Sequence, residues 1–178
     1  MELSIGQKVA YPNQGVCLVE EIERKIVGEV ILTCYLLRVL NDNSIIHVPT
    51  AKADSVGIRP IIGTSQYKLL LSDLGADFED VSGDWKTRSR QFMEKLQSGD
   101  VFEAADVLKK LTYLSMEKKL SFREQNLLDK AKFLIVSEIT NAECAGECEI
   151  ESEVCRLVES ACGKHRLTQP IALSVAVH

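Results

Sequence analysis

Val9-Ala10-Tyr11-Pro12-Asn13-Gln14-Gly15-Val16-Cys17-Leu18-Val19 decides how the chain begins to fold. Val9-Ala10-Tyr11 reads as a short strand that stops at Pro12, and Pro12-Asn13-Gln14-Gly15 carries the composition of a turn. Residues 16–25 then alternate in part, with Val16, Leu18 and Glu20 set against Cys17, Val19 and Glu21, and they are rich in β-branched side chains. Gly28, within Ile26-Val27-Gly28-Glu29-Val30, reads as a hairpin turn, and residues 31–40 as the returning arm with Thr33, Tyr35 and Val39. Asn41-Asp42-Asn43-Ser44 is a further turn, and Ile45-Ile46-His47-Val48 a short strand closed by Pro49. Three or four short antiparallel strands with tight turns predict a small open barrel of SH3-like or Tudor-like size over residues 1–62.

After Pro60 the apolar period changes from two to that of a helix. Tyr67, Leu70, Leu71 and Leu74 share one helical face that Gly75 stops, and Phe78 to Gly83 is acidic and turn-prone. Asp84 is a favoured N-cap residue, and the helix it opens carries Phe92, Met93 and Leu96 on one face before Ser98-Gly99 ends it. Asp100 with Glu103 resembles a capping box, and Val101, Ala104, Ala105, Leu108, Leu111 and Leu114 form a clear stripe. Ser121-Phe122-Arg123-Glu124 is a full capping box ahead of Leu127, Leu128, Ala131, Leu134 and Ile135. Cys148, Val154, Leu157 and Val158 continue the helical spacing to about Gly163. The expected fold is therefore α+β: a small SH3/Tudor-like antiparallel β module (residues 1–62) followed by an all-α helical bundle (63–163). Residues 164–178, with Pro170 and no apolar stripe, are expected to be a frayed or partner-dependent tail.

Charge narrows the function. The net charge of −5 excludes a general coat for polyanions, yet residues 84–120 carry eight Lys/Arg against six Asp/Glu, between more acidic stretches. Such a segment favours local contact with phosphates. The start of the chain lacks a basic region followed by an apolar one, and no apolar run nears the ~20 residues of a membrane span. A cytoplasmic protein with reduced cysteines is expected.

The only tryptophan, Trp85, lies in this basic segment, in Asp84-Trp85-Lys86-Thr87-Arg88-Ser89-Arg90. A lone tryptophan is commonly a packing residue. Here the N-cap places it on the first turn of a helix, away from the core stripe, flanked by Lys86, Arg88 and Arg90. A flat ring ringed by cations suits holding phosphates while wedging beside bases.

Gly6-Gln7-Lys8-Val9-Ala10-Tyr11-Pro12-Asn13-Gln14-Gly15-Val16 resembles the opening of the CarD/CdnL family of bacterial transcription regulators. The same opening occurs in the polymerase-interacting module of transcription-repair coupling factors. Ile46-His47-Val48-Pro49 followed by Val56-Gly57-Ile58-Arg59 fits the end of that module. Asp84-Trp85 with Arg88 and Arg90, then Met93-Glu94-Lys95-Leu96-Gln97-Ser98-Gly99-Asp100, and Leu120-Ser121 with Glu124 resemble the family's helical half. The likeness covers about residues 1–142. It implies a β module that binds the β subunit of RNA polymerase, and a helical domain that reaches promoter DNA at the upstream fork. It also implies that the tryptophan wedges into the minor groove there and stabilises the open complex, with Lys86, Arg88 and Arg90 on phosphates. The polymerase contacts fall on Lys25 and His47, where the family carries basic residues. Lys25 lacks the guanidinium fork, His47 is a pH-dependent cation, and the adjacent Arg24 can supply a guanidinium. An adaptor that binds polymerase without touching DNA, with thiol-based sensing, is the alternative.

Cys144, Cys148, Cys155 and Cys162 are spaced 4, 7 and 7. On one helix Cys148 and Cys162 lie about 21 Å apart, so these thiols, even with His165, cannot converge on one ion. A buried face that uses cysteine as a small hydrophobe is expected, and Cys17 and Cys34 are expected in the strand core. His47, His165 and His178 sit in no catalytic motif. A non-enzymatic monomer without metal or cofactor is expected.

Overall fold

The computed structural model describes residues 2–81, 83–143 and 146–168. The β module comprises β1 (Lys8–Tyr11), β2 (Gly15–Val27), β3 (Val30–Val39) and β4 (Ile45–Pro49), then a 3-10 turn (Thr50–Lys52), the short α1 (Ala53–Val56) and β5 (Arg59–Pro60). The five strands form one antiparallel sheet in the order β4-β3-β2-β1-β5. β5 is a strand the sequence reading lacked, because two residues are too short for any alternation to show. Both edges stay unpaired within the sheet, so the barrel is open.

A bulge at Glu20 divides β2 in two, for Val19 pairs with Leu37 while Glu21 pairs with Leu36. Before the bulge Val16, Cys17 and Val19 are buried, and Cys17 and Val19 join Leu3, Val9, Tyr35, Leu37, Val39, Val48 and Ile58 in one core. Past the last β4 pairing, Cys34 with Pro49, β2 and β3 run on as a two-stranded ribbon from Arg24 and Thr33, closed by Gly28 and Glu29, and Ile26, Val27, Val30 and Ile31 on that ribbon are exposed. Cys17 and Cys34 are both buried in the module.

The helical part is built from α2 (Thr64–Leu74), α3 (Trp85–Gln97), α4 (Val101–Glu117), α5 (Phe122–Glu143) and α6 (Glu147–Thr168). The α4 stripe of Val101, Ala104, Ala105, Leu108 and Leu111 is buried among Leu70 and Leu74 of α2, Phe92 and Leu96 of α3, Ala131, Ile135 and Ile139 of α5, and Val154 and Val158 of α6. Asp100 caps α4 through the Phe102 N–H at 2.9 Å. Glu103 does not return to that cap as a capping box requires; it pairs with Lys95 instead. Among the described residues no helix is long and apolar enough to cross a membrane.

Three expectations about the C-terminal part need correction. First, α6 does not stop at Gly163 but runs to Thr168, so residues 164–168 are helix and His165 is buried. The rest of the expected tail lies outside the described residues, as does Cys144. Second, the cysteine stripe is not a buried face: Cys148 is exposed, Cys155 half-buried and Cys162 buried. The buried face runs through Ile150, Val154, Val158, Ala161 and His165. The cysteines lie on its flank and drift toward it by about 20° per heptad, so only Cys162 enters. Third, Met93 points outward, while Phe92 and Leu96 are buried together with Arg88 and Ser89.

The β module docks on α5. Glu138 of α5 accepts two hydrogen bonds from the Arg59 guanidinium and one from the Ile62 N–H at 3.0 Å, while Arg59 Nε donates to the Gly99 carbonyl at 2.9 Å. Two glycines allow the close approach. A Cβ on Gly15 would stand 3.1 Å from the Phe133 ring of α5, and one on Gly99 2.9 Å from Pro12 Cγ. Both glycines also have positive φ, 93° and 81°, which side-chain-bearing residues rarely adopt.

Candidate functional site

The cap of α3 sets the position of Trp85. Asp84 accepts the backbone N–H of Lys86 at 2.7 Å and of Thr87 at 3.1 Å, and Thr87 Oγ1 also donates to it at 3.1 Å. The Thr87 and Lys86 N–H groups hold the Asp84 carboxyl below the usual carboxylate range, so the cap stays charged at neutral pH. Trp85 is the first helical residue and is 54 % exposed. The Lys86 ammonium lies 5.9 Å from its ring centroid, within cation–π reach.

The three cations expected beside Trp85 separate. Lys86 stays with the ring. Arg90 lies in solvent, 3.8 Å from Glu94 one turn on. Arg88 turns inward and is 8 % exposed; it donates to the Gly83 carbonyl at 3.2 Å and to Glu124 Oε1 at 3.1 Å. Its geometry is that of a brace between the starts of α3 and α5.

Glu124 is also half of the capping box read from the sequence. Its Oε2 accepts the Ser121 N–H at 2.9 Å, and its own N–H donates to Ser121 Oγ at 3.3 Å. Burial works to raise its carboxyl, but the hydrogen bonds from Ser121 and Arg88 and the nearby Lys118 charge prevail and lower it to about 2. This box places Phe122 at the first position of α5, where its ring is 83 % exposed. Phe122 and Trp85 line one shallow groove with Lys118, Lys119, Leu120 and Arg123.

The groove thus presents two exposed aromatic rings, each on the first residue of a helix, with Lys86, Lys118, Lys119 and Arg123 around them. Helix N-termini add partial positive charge. Aromatic faces can stack on bases and cations can hold phosphates, so the groove carries side chains of the kind a nucleic-acid contact uses. Phe122, Lys118, Lys119 and Arg123 were missing from the sequence reading. Their signal was present: Phe122 stands off the α5 stripe, directly after a capping serine and beside three cations.

The second set lies at the base of the ribbon of the β module, with Lys25 on β2 and His47 on β4. Lys25 Nζ stands 2.9 Å from His47 Nδ1, and Glu23 Oε2 lies 3.7 Å from Lys25 and 3.8 Å from His47. Successive side chains alternate across a strand, so Arg24 falls on the opposite face from Lys25 and His47.

Comparison with known proteins follows the same division. Residues 3–62 match the family described as CarD-like/TRCF RID domain, and residues 70–154 match CarD, C-terminal domain. The chain is similar to the "Putative transcription factor YdeB" of Bacillus subtilis (strain 168), 29 % identical over 148 residues that cover 83 % of this chain and 97 % of that protein. It is also similar to the 72-residue N-terminal domain of Myxococcus xanthus CarD, a solution NMR structure, at 39 % identity over 33 % of this chain and 79 % of that one, with a TM-score of 0.29. With the β module and the helical half each matched, in that order along one chain, this protein belongs to the CarD/CdnL family of transcription regulators.

Proposed function

We propose that this regulator binds RNA polymerase through the ribbon of its β module, on the β subunit, and stabilises the promoter open complex through Trp85 at the upstream edge of the bubble. The exposure of Trp85 on a capped and braced helix start, beside Phe122 and a ring of cations, carries this reading. A large ring exposed to water loses favourable burial, and a partner that covers it recovers that. A base step that has lost its stacking neighbour offers such a partner. A wedge that binds the melted junction better than the closed duplex shifts the equilibrium by that difference in affinity alone.

Lys86, Arg90, Lys118, Lys119 and Arg123 contribute phosphate contacts, while Arg88 acts by holding α3 against α5. The protein's overall negative charge disfavours free duplex, so tethering to polymerase supplies the local concentration. Lys25 and His47 make the polymerase contact from one face and Arg24 adds to it from the other, and Ile26, Val27, Val30 and Ile31 at the ribbon end extend it with apolar surface. The test is binding of polymerase holoenzyme to upstream-fork DNA with and without the protein. Wild type is expected to tighten the complex and Trp85→Ala to remove the gain. Equal tightening by the variant would leave a polymerase adaptor that does not touch DNA through this residue.

A further inference from the structure

Among the described residues only two aromatic side chains are exposed, Trp85 at 54 % and Phe122 at 83 %, and both line the same groove. The other aromatic rings are buried or half-buried. An exposed ring forgoes the burial that favours folding, so two in one groove point to a surface that another molecule covers. The rings do not cover each other, for among the described residues no ring contact joins Trp85 to Phe122. Both are nevertheless fixed in place. Asp84 caps the start of α3, the box of Ser121 and Glu124 caps the start of α5, and Arg88 joins the two starts through Glu124 at 3.1 Å.

Charge selects the occupant. Lys118, Lys119 and Arg123 line the groove, and the one carboxylate among the lining residues, Glu124, is buried and engaged by Ser121 and Arg88. Lys118 lies 3.8 Å from that carboxylate. Lys119 and Arg123 are exposed, and among the described residues no carboxylate pairs with either. A second copy of this chain would set these cations against their own kind, and an apolar peptide would leave them unpaired. An anion with a flat face satisfies rings and cations together. In a duplex the base faces are already stacked on their neighbours. An unpaired strand offers both a free base face and a phosphate.

We propose that Phe122 is a second base-stacking residue: the groove between Phe122 and Trp85 takes one unpaired base of single-stranded DNA, with Lys119 and Arg123 beside its phosphate. This rests on the assignment of Trp85 to the melted junction and adds to it a second ring and the state of the strand that is held.

The experiment places 2-aminopurine, a fluorescent base that stacking quenches, at each unpaired position in turn of an upstream-fork DNA bound by polymerase holoenzyme and the full chain. Wild type is expected to quench one position, and Phe122→Ala to restore most of that fluorescence. Phe122→Tyr keeps the ring and should quench as wild type does, whereas Phe122→Leu keeps only apolar bulk and should not. Open-complex lifetime should fall at least about fivefold in Phe122→Ala, the lower end of one base–aromatic stack, with polymerase affinity unchanged. That variant alters an exposed side chain and leaves the capping box in place, so circular dichroism should show it folded.

Quenching and lifetime in Phe122→Ala equal to wild type overturn the proposal. So does a loss of polymerase affinity in that variant, which would make the groove a protein contact. Trp85→Ala, measured alongside, separates the two readings. If it shortens the lifetime and Phe122→Ala does not, the wedge stands and the second ring fails. If Phe122→Ala alone loses quenching and lifetime, Phe122 stands as the stacking residue and the assignment of Trp85 to the junction fails.

Discussion

Arg88 and Glu124 form the ion pair that keeps Trp85 and Phe122 on one surface: Arg88 Nη2 donates to Glu124 Oε1 at 3.1 Å, and both side chains are almost fully buried. Each residue also anchors its own helix start, Arg88 through the Gly83 carbonyl and Glu124 through the Ser121 box. The two rings are therefore set by the fold itself. A wedge arranged before binding loses less conformational entropy when it engages.

This pair has an acid signature. Glu124 is lowered from about 4.5 to about 2, so its contribution to stability is complete above about pH 4.5 and is lost as pH falls toward 2. The shift corresponds to about 3 kcal/mol. Urea unfolding at pH 7 and at pH 3 should show Glu124→Gln costing the fold much more at the higher pH. A penalty equal at both would contradict the assignment.

The joint between the two parts depends on Glu138. Glu138→Ala leaves the Arg59 guanidinium and the Ile62 N–H without their buried acceptor and should cost about 3–5 kcal/mol. Chemical denaturation measures the loss. Glu138→Gln, which keeps one acceptor oxygen, should cost less.

Thiol labelling should divide the cysteines by burial. Burial pushes the Cys17 thiol up to about 11, and burial with the Glu159 charge does the same for Cys162, so neither forms a thiolate near neutrality. Cys148 is exposed and should react within the first phase of a native-state assay with an aromatic disulfide reagent. Cys17 and Cys162 should react only on unfolding. Fast labelling of Cys162 in the native protein would show that the end of α6 opens.

Lys25 and His47 make one small basic site, so reversing its charge should matter more than removing it. Lys25→Glu should weaken polymerase binding about tenfold, with a smaller salt dependence, as expected for a charge at an interface rim. Lys25→Ala should fall between that variant and wild type. Circular dichroism should show the module folded in both, since Lys25 lies on the ribbon outside the core. An unchanged affinity in Lys25→Glu would move the contact elsewhere on the module.

Much of the architecture was legible because its signals are local. The alternation at Val16–Val19, the caps at Asp84 and Ser121 and the stripe from Val101 to Leu111 each specify an element within a few residues. What stayed hidden depends on contacts far apart in sequence. Arg88 reads as a surface cation until Glu124, on another helix, is known to lie beside it. His165 reads as part of a frayed end until Asp77, Phe78 and Tyr113 close around it. The cysteine stripe misled for a geometric reason, since a period of seven shows that residues share a line on a helix but not whether that line faces the core. Phe122 gives no periodic signal because it stands at the first position of α5, off the apolar stripe, and only the fold brings it beside Trp85.

In the proposed function Trp85 acts on DNA from an exposed position and does not hold the fold together. The most direct measurement is open-complex lifetime on a bacterial promoter with cognate RNA polymerase, comparing no regulator, wild type and Trp85→Ala, with unfolding of the variant measured in parallel. The account predicts that Trp85→Ala keeps wild-type stability to within ~1 kcal/mol and wild-type affinity for polymerase. It also predicts that wild type lengthens the lifetime by roughly 5- to 150-fold, the kinetic equivalent of ~1–3 kcal/mol for one base–aromatic stack, and that the variant loses this effect. A variant that binds polymerase and prolongs the open complex as wild type does would contradict it.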